Sequence, residues 1–333
     1  MIVTEYDLPR SDAEPHDAVI DPQGMVWYDD FAMGALGRLD PRTGETKEWT
    51  LPVVKPGFSQ GSLDLEWDRD GNLWIARLFQ AGVAKFDMKT QKMSSWSQPP
   101  EYNNNHTRVA FVAFGPKGTV WMVDNTNRGM NLLDPATGHV DIHPGFPGWT
   151  MPPVDKDPAT GSKGNEPHSH YIYGIASNSR GVGYIADMAG GNIGEIDPAT
   201  GTVTLYPTPT VNSGPRRMHV DWEDNVWFGE NYGLKIGVLD GRTKQFKEWG
   251  DPTPWDGPYD AVRDKAGYIW TGGMTTDLVT RLNPETGEVV QYLLPSWGAN
   301  IRRVEVDNST NPPTFWVGEN HTAKIAKVEP VDW

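Results

Sequence analysis

The chain has no cysteine, which removes disulfides, thiolate metal sites and cysteine nucleophiles together. It also has no apolar run approaching the ~18 residues of a membrane span. Basic residues are scarce: 29 Lys and Arg face 44 Asp and Glu, for a formal net charge of −15. Phosphate backbones and anionic lipid surfaces both need a basic face, so neither nucleic acid nor a membrane is an expected partner. The acidity reads first as a solvated, soluble surface. Three common catalytic signatures are missing too. The sequence holds no Gly-x-Ser-x-Gly elbow, no His-Glu-x-x-His pair and no Walker loop, so serine hydrolysis, zincin proteolysis and P-loop chemistry lack support. Met1-Ile-Val-Thr-Glu-Tyr6 reads as a strand rather than a signal peptide. The compartment is left open, the mature form of an exported bacterial protein being one reading.

What is abundant is glycine, proline and tryptophan: 36, 28 and 15 in 333 residues. That mix suits short strands and tight turns around an aromatic core. Aligning on an aromatic that follows a turn gives Trp27, Trp74, Trp121, Tyr184, Trp227, Trp270 and Trp316, at spacings of 47, 47, 63, 43, 43 and 46. Each unit repeats the same parts. An apolar segment enters a polar turn such as Asp21-Pro-Gln-Gly24, a short strand starts at the aromatic, and a third strand ends in Asp-Pro-x-Thr-Gly (Asp40 to Gly44, Asp134 to Gly138, Asp197 to Gly201, and Asn283 to Gly287). Proline pre-sets that turn and glycine takes its left-handed position. A fourth strand alternates and stops at or near proline. Four strands per ~45 residues is one propeller blade.

Seven units predict an all-β fold, a seven-bladed β-propeller with four-stranded blades, as one domain over 1–333. The seventh unit lacks a fourth strand, and Val3-Thr-Glu-Tyr-Asp-Leu-Pro9 matches that pattern without a blade of its own. The N-terminal strand is therefore expected to close the last blade and leave no open edge. A Pro/Gly-rich insertion at about 144–170 interrupts the repeat before the fourth unit. Long loops in compact domains are usually functional or disordered, and its two aromatics and Met151 favour a folded cover.

The first strand of each blade lines the channel of a propeller, so positions equivalent by repeat converge at its mouth. His16 aligns with Leu63, Ala110, Tyr173, Arg216, Tyr259 and Arg302. The next position holds Asp17, Asp64, Phe111, Gly174, Arg217, Asp260 and Arg303. Entering the loop between second and third strands come Asp30, Arg77, Asp124, Asp187, Glu230, Gly273 and Glu319. Four arginines at one rim of an acidic chain have two readings. They pair with Asp17, Asp260, Glu230 and Glu319 and fix the blades, or with Tyr259 they steer an anionic ligand. Glu14, His16 and Asp30 converge at the same mouth. Carboxylates of this kind suit Mg²⁺ or Ca²⁺, and a neutral histidine beside them suits a general base. The bland reading of His16 is a hydrogen-bonded core residue. His170 and His168, after the insertion, and His321 in Glu319-Asn-His321 are further rim candidates, while His219 is expected to be packed deeper.

The segments Asn225-Val-Trp-Phe-Gly-Glu-Asn-Tyr-Gly-Leu-Lys-Ile-Gly237 and Glu319-Asn-His-Thr-Ala-Lys-Ile325 resemble the repeats of the virginiamycin B lyase (streptogramin lyase) family. The resemblance covers essentially the whole chain. It implies a Mg²⁺-dependent lyase that opens a cyclic depsipeptide at its ester by elimination, with Glu14 as a metal carboxylate, His16 as the proton acceptor and Asp30, beside Asp29, as the second metal acid. Arg302 stands where the family places a substrate-contacting histidine, so that contact is altered. The expected ligand is a small molecule, anionic or cyclic and peptide-like, and a monomer is expected. A Ca²⁺ lactonase or gluconolactonase-like hydrolase and a non-catalytic binding or sensor propeller are the alternative readings.

Overall fold

The protein, seen in a computed structural model, is described over residues 1–105, 107–125, 129–142, 170–198 and 200–331. Nearly all of the insertion, with Met151 and His168, lies outside these residues. Twenty-eight short strands form seven antiparallel four-stranded sheets. Six sheets run in chain order, each a meander of four consecutive strands. The seventh joins Ile301–Asp307, Thr314–Glu319 and Lys324–Glu329 to the N-terminal strand Ile2–Asp7, which pairs from Ile2 with Glu329 to Asp7 with Lys324. This is the seven-bladed propeller that the spacing predicts. Closure by the two ends of the chain leaves the last blade without a missing strand.

The repeat chemistry is visible at each blade. In the Asp-Pro-x-Thr-Gly turns, Gly44, Gly138, Gly201 and Gly287 all have positive φ, between 69° and 76°. Their N–H groups donate to the carbonyl of the Asp or Asn four residues back at 2.8 Å. The turn before the second strand is tied by its aspartate to the tryptophan six residues on: Asp21, Asp68, Asp221 and Asp264 accept Nε1 of Trp27, Trp74, Trp227 and Trp270 at 2.8 to 3.0 Å. These indoles then stack on the aromatic of the fourth strand, as in Trp27–Trp49 and Trp74–Trp96, both 5.3 Å between centroids. Such pairs add about 0.5–1.5 kcal/mol beyond buried area. Tyr6 of the N-terminal strand takes the same place over Trp316 at 6.1 Å.

One irregularity positions the site. Five of the first strands carry a register shift against the second strand, between Pro15 and Ala18, Val109 and Val112, Ile172 and Ile175, Pro215 and Met218, and Ile301 and Val304. An extra residue in one strand re-aims neighbouring side chains. The shift falls on His16–Asp17, Tyr173–Gly174, Arg216–Arg217 and Arg302–Arg303. These are the paired positions that repeat counting sends to the axis.

Candidate active site

The paired positions form two layers. The lower layer is an ion-pair plug. Arg217 is buried and contacts Asp17 at 2.7 Å, Asp64 and, at 3.4 Å, Glu66. Arg303, also buried, meets Asp17 at 3.2 Å, Glu66 at 3.0 Å and Glu305 at 3.2 Å, and donates to the Leu65 carbonyl at 2.6 Å. Burial works against both guanidinium charges, but the surrounding carboxylates hold the two arginines firmly protonated. Burial would also protonate Asp17, yet Arg217, His16 and Arg303 keep its carboxyl well below the usual range. The aspartates of this layer staple blades as well: Asp17, Asp64 and Asp260 accept the backbone N–H of Leu65, Val112 and Val304 in the next blade at 2.8 to 3.2 Å.

The upper layer is made of rings and of two arginines that have no ion pair among the described residues. His16 Nδ1 donates to Asp17 at 2.9 Å, which leaves Nε2 as an acceptor. That nitrogen faces the Tyr259 hydroxyl at 3.4 Å, and Tyr259 shares a 2.7 Å hydrogen bond with the Tyr173 hydroxyl. His16 is only 1% exposed, shielded by Phe31 and Tyr259 at ring distances of 5.9 and 6.0 Å. Burial lowers its pKa to about 4 despite the Asp17 carboxylate, so the ring is neutral at pH 7. The Arg216 guanidinium lies 4.9 Å from the Tyr173 ring centre and 5.3 Å from that of Tyr259, and Arg302 lies 5.5 Å from Tyr259.

The four arginines thus do not act as one rim. Arg217 and Arg303 close the channel, and Arg216 and Arg302 stand above them. Of their expected partners, only Asp17 takes that part. Asp260 bonds the Val304 N–H and lies 3.5 Å from His219. Glu230 and Glu319 sit elsewhere, each beside a fourth-strand glutamate (Glu248 and Glu5) that is bridged to Lys235 or Lys324 at 2.8 and 2.7 Å. Asp30 belongs to the same pattern, with Glu48 and Arg10 as its companions. His170 has its Nδ1 2.5 Å from Asp187 in blade four. His321 is exposed and shares no hydrogen bond or ion pair with the His16 cluster among the described residues. Sequence reasoning missed Glu66 and Glu305, and named Asp29 and Tyr173 only as a neighbour of Asp30 and as a position aligned with His16. The first-strand pairs Asp64/Glu66 and Arg303/Glu305 carry the only signal that could have found the two glutamates, since alternate strand residues share a face.

The carboxylates at the mouth decide whether a divalent ion fits. Glu14 is half-buried and its carboxylate has no hydrogen bond or ion pair among the described residues. Asp30 is saturated: one oxygen accepts the N–H of Glu14, Ala32 and Met33 at 2.9 to 3.3 Å, and the other binds Arg10. The equivalent Asp187 accepts the N–H of Tyr171 and Gly190 in the same way. Asp30 is therefore a loop cap of the repeat with a guanidinium already on it, and the Glu14–Asp30 pair does not fit Mg²⁺ or Ca²⁺ while Arg10 stays. His16, Asp17 and Asp29 also bring ligand-type atoms within 4.8 Å. There Asp17 is neutralised by two arginines, and burial together with the Asp17 charge holds the Asp29 carboxyl protonated, well above the usual range. A groove of about 610 Å³ between blades five and six, bordered by Trp227, Trp249 and Arg263, shares no residue with the mouth.

Seven antiparallel four-stranded sheets, the last closed by the N-terminal strand, define the class of this molecule as a seven-bladed propeller with a buried Asp17–His16 pair on a first strand. The chain belongs to the virginiamycin B lyase family, whose model matches residues 165–332. Virginiamycin B lyase from Staphylococcus aureus superposes with a TM-score of 0.80 at 19% identity, over 99% of each chain. A catalytically inactive variant of that enzyme with quinupristin superposes at 0.79 and 18% identity, again over 99% of each chain. At such identity the likeness concerns the fold. A photosystem II assembly lipoprotein, Ycf48 of Synechococcus sp. (strain RCC307), is 28% identical over 108 residues, 30% of this chain and 31% of that protein. The chain spans about a third of the length of the curated relatives it matches.

Proposed function

We propose that this chain is a carbon–oxygen lyase of the virginiamycin B lyase type, opening an ester or depsipeptide by elimination. The observation that carries the reading is the hydrogen-bonding of His16. Asp17 holds Nδ1–H and so fixes the tautomer, while Nε2 keeps a lone pair with only a long 3.4 Å contact to Tyr259. A substrate that displaces that contact meets a neutral, oriented base. Nε2 takes the proton from the carbon next to the one that bears the ester oxygen, a carbon made acidic by its own neighbouring amide or ester carbonyl; that electron pair forms the carbon–carbon double bond, the carbon–oxygen bond breaks, and the acyl part leaves as a carboxylate. In this reading the Tyr259 hydroxyl, 3.4 Å from Nε2, is the donor for the negative charge that develops on the carbonyl oxygen. No step is routed through a metal. Mg²⁺ enters this reading only where Arg10 releases Asp30, so Arg10→Ala is the variant in which added MgCl₂ would raise the melting temperature.

The test is a screen of streptogramin B-type depsipeptides and simple cyclic esters in H₂¹⁸O. Elimination gives a product with a new double bond and no solvent oxygen, whereas a lactonase gives one labelled oxygen. His16→Ala should lose at least roughly a hundredfold in kcat/KM, and full turnover by that variant would sink the assignment. A second reading, a binding or assembly propeller, is favoured by the 1% exposure of His16 and by the partial match to an assembly lipoprotein. It predicts ligand binding with no turnover across the panel.

A further inference from the structure

The upper layer holds an imbalance that the lower layer does not. Arg217 and Arg303 are each matched by several carboxylates. Arg216 and Arg302, one residue earlier on the same strands, have no ion pair among the described residues, in a chain with 44 acidic side chains. Both are half-buried. Arg216 spends one nitrogen on the thioether of Met274 at 2.6 Å, and its Nε is buried with no partner. Arg302 donates only to the amide of Asn300, at 2.5 Å. Guanidinium groups kept out of water are ordinarily paired. Contact with ring faces offsets only part of the lost hydration. Both charges lie within 5.5 Å of the Tyr259 ring centre, so they address one volume. The Tyr173–Tyr259 hydroxyl pair borders it and adds further donor capacity.

We infer that this volume is an oxyanion subsite and that its ligand is a small molecule bearing a carboxylate. Two forked guanidiniums converging on one spot suit the planar, multi-acceptor carboxylate. Aromatic rings beside the volume (Phe31 and Tyr173) suit an apolar body attached to the carboxylate. For the substrate of a lyase this deepens, and rests on, the reading above: the ester would carry a free carboxylate held by Arg216 and Arg302 beside the proton that His16 removes.

The experiment is calorimetric binding of benzoate, benzamide and inorganic phosphate to the full chain. Benzoate should bind at least roughly tenfold more tightly than benzamide, its neutral isostere, and weaken with added salt. Arg216→Gln and Arg302→Gln should each weaken benzoate at least about tenfold, and Lys at either position should recover part of the loss. Arg180→Gln, at an exposed site, should leave benzoate affinity within about threefold of wild type. Equal affinity for benzoate and benzamide, indifference to both Arg→Gln changes in variants whose melting curves are unaltered, or tighter binding of phosphate than of benzoate would each overturn the subsite. Benzoate binding that is retained while no ester is turned over would remove the lyase reading and leave the subsite standing.

Discussion

Glu230 gives the sharpest physical test of the repeat. It is fully buried at the end of the second strand of blade five, and neither carboxylate oxygen has a hydrogen-bond partner. Burial first, and then the neighbouring Glu248, raise its pKa from 4.5 to about 8, while Lys235 at 2.8 Å keeps Glu248 ionised. Folding at neutral pH therefore requires Glu230 to take up a proton that it lacks in the unfolded chain. A folded pKa above the unfolded one gives stability that is complete below the unfolded value and is lost as pH rises through the folded one. The loss is ~1.4 kcal/mol per pH unit between the two values, or about 4 kcal/mol between about pH 5 and pH 8. Glu230→Gln is neutral at every pH and keeps the shape. Urea unfolding followed by tryptophan fluorescence should find the variant within ~1 kcal/mol of wild type near pH 5 and about 4 kcal/mol more stable near pH 8. Parallel stability curves for the two proteins would refute the reasoning.

Three further outcomes are expected. Replacing Arg217 by Leu leaves Asp17 with Arg303 alone and Asp64 with no cation closer than 4.0 Å among the described residues, and should cost about 3–5 kcal/mol in the same assay; a loss under ~1 kcal/mol would mean that the channel is wet. The His16 ring should titrate near 4 by NMR, because its folded pKa lies below the unfolded one. Its contribution is then present above the unfolded value and lost as pH falls through about 4, and a midpoint of 6 to 7 would place the ring in solvent. Deleting residues 1–9 removes the strand that pairs with Lys324–Glu329. Hydrogen exchange should then show the backbone of Lys324–Glu329 losing protection while Ala35–Asp40 of blade one keeps it, whereas an unchanged pattern would contradict closure by the N-terminal strand.

Periodicity carried most of the architecture. An aromatic every 43 to 47 residues outside the insertion, an Asp-Pro-x-Thr-Gly turn, an orphan fourth-strand pattern near the N-terminus and a seventh unit short of one sufficed for seven blades and their closure. These signals are local, and local turn chemistry survives into the fold because each hairpin satisfies its own hydrogen bonds. Repeat counting also brought His16, Tyr259 and the four arginines to the axis. It could not divide the arginines into two layers, because that division depends on a register shift that the pattern of residues does not display. Nor could it separate Asp30 from a metal ligand. A carboxylate at a loop entry looks the same in sequence whether it faces an ion or, as here, three backbone N–H groups and Arg10. Which acids are neutral, which are paired and which cations stand free depends on neighbours hundreds of residues apart. Asp17 meets Arg217 and Arg303 only after the ring has closed, and desolvation and Coulomb forces act through space rather than along the chain.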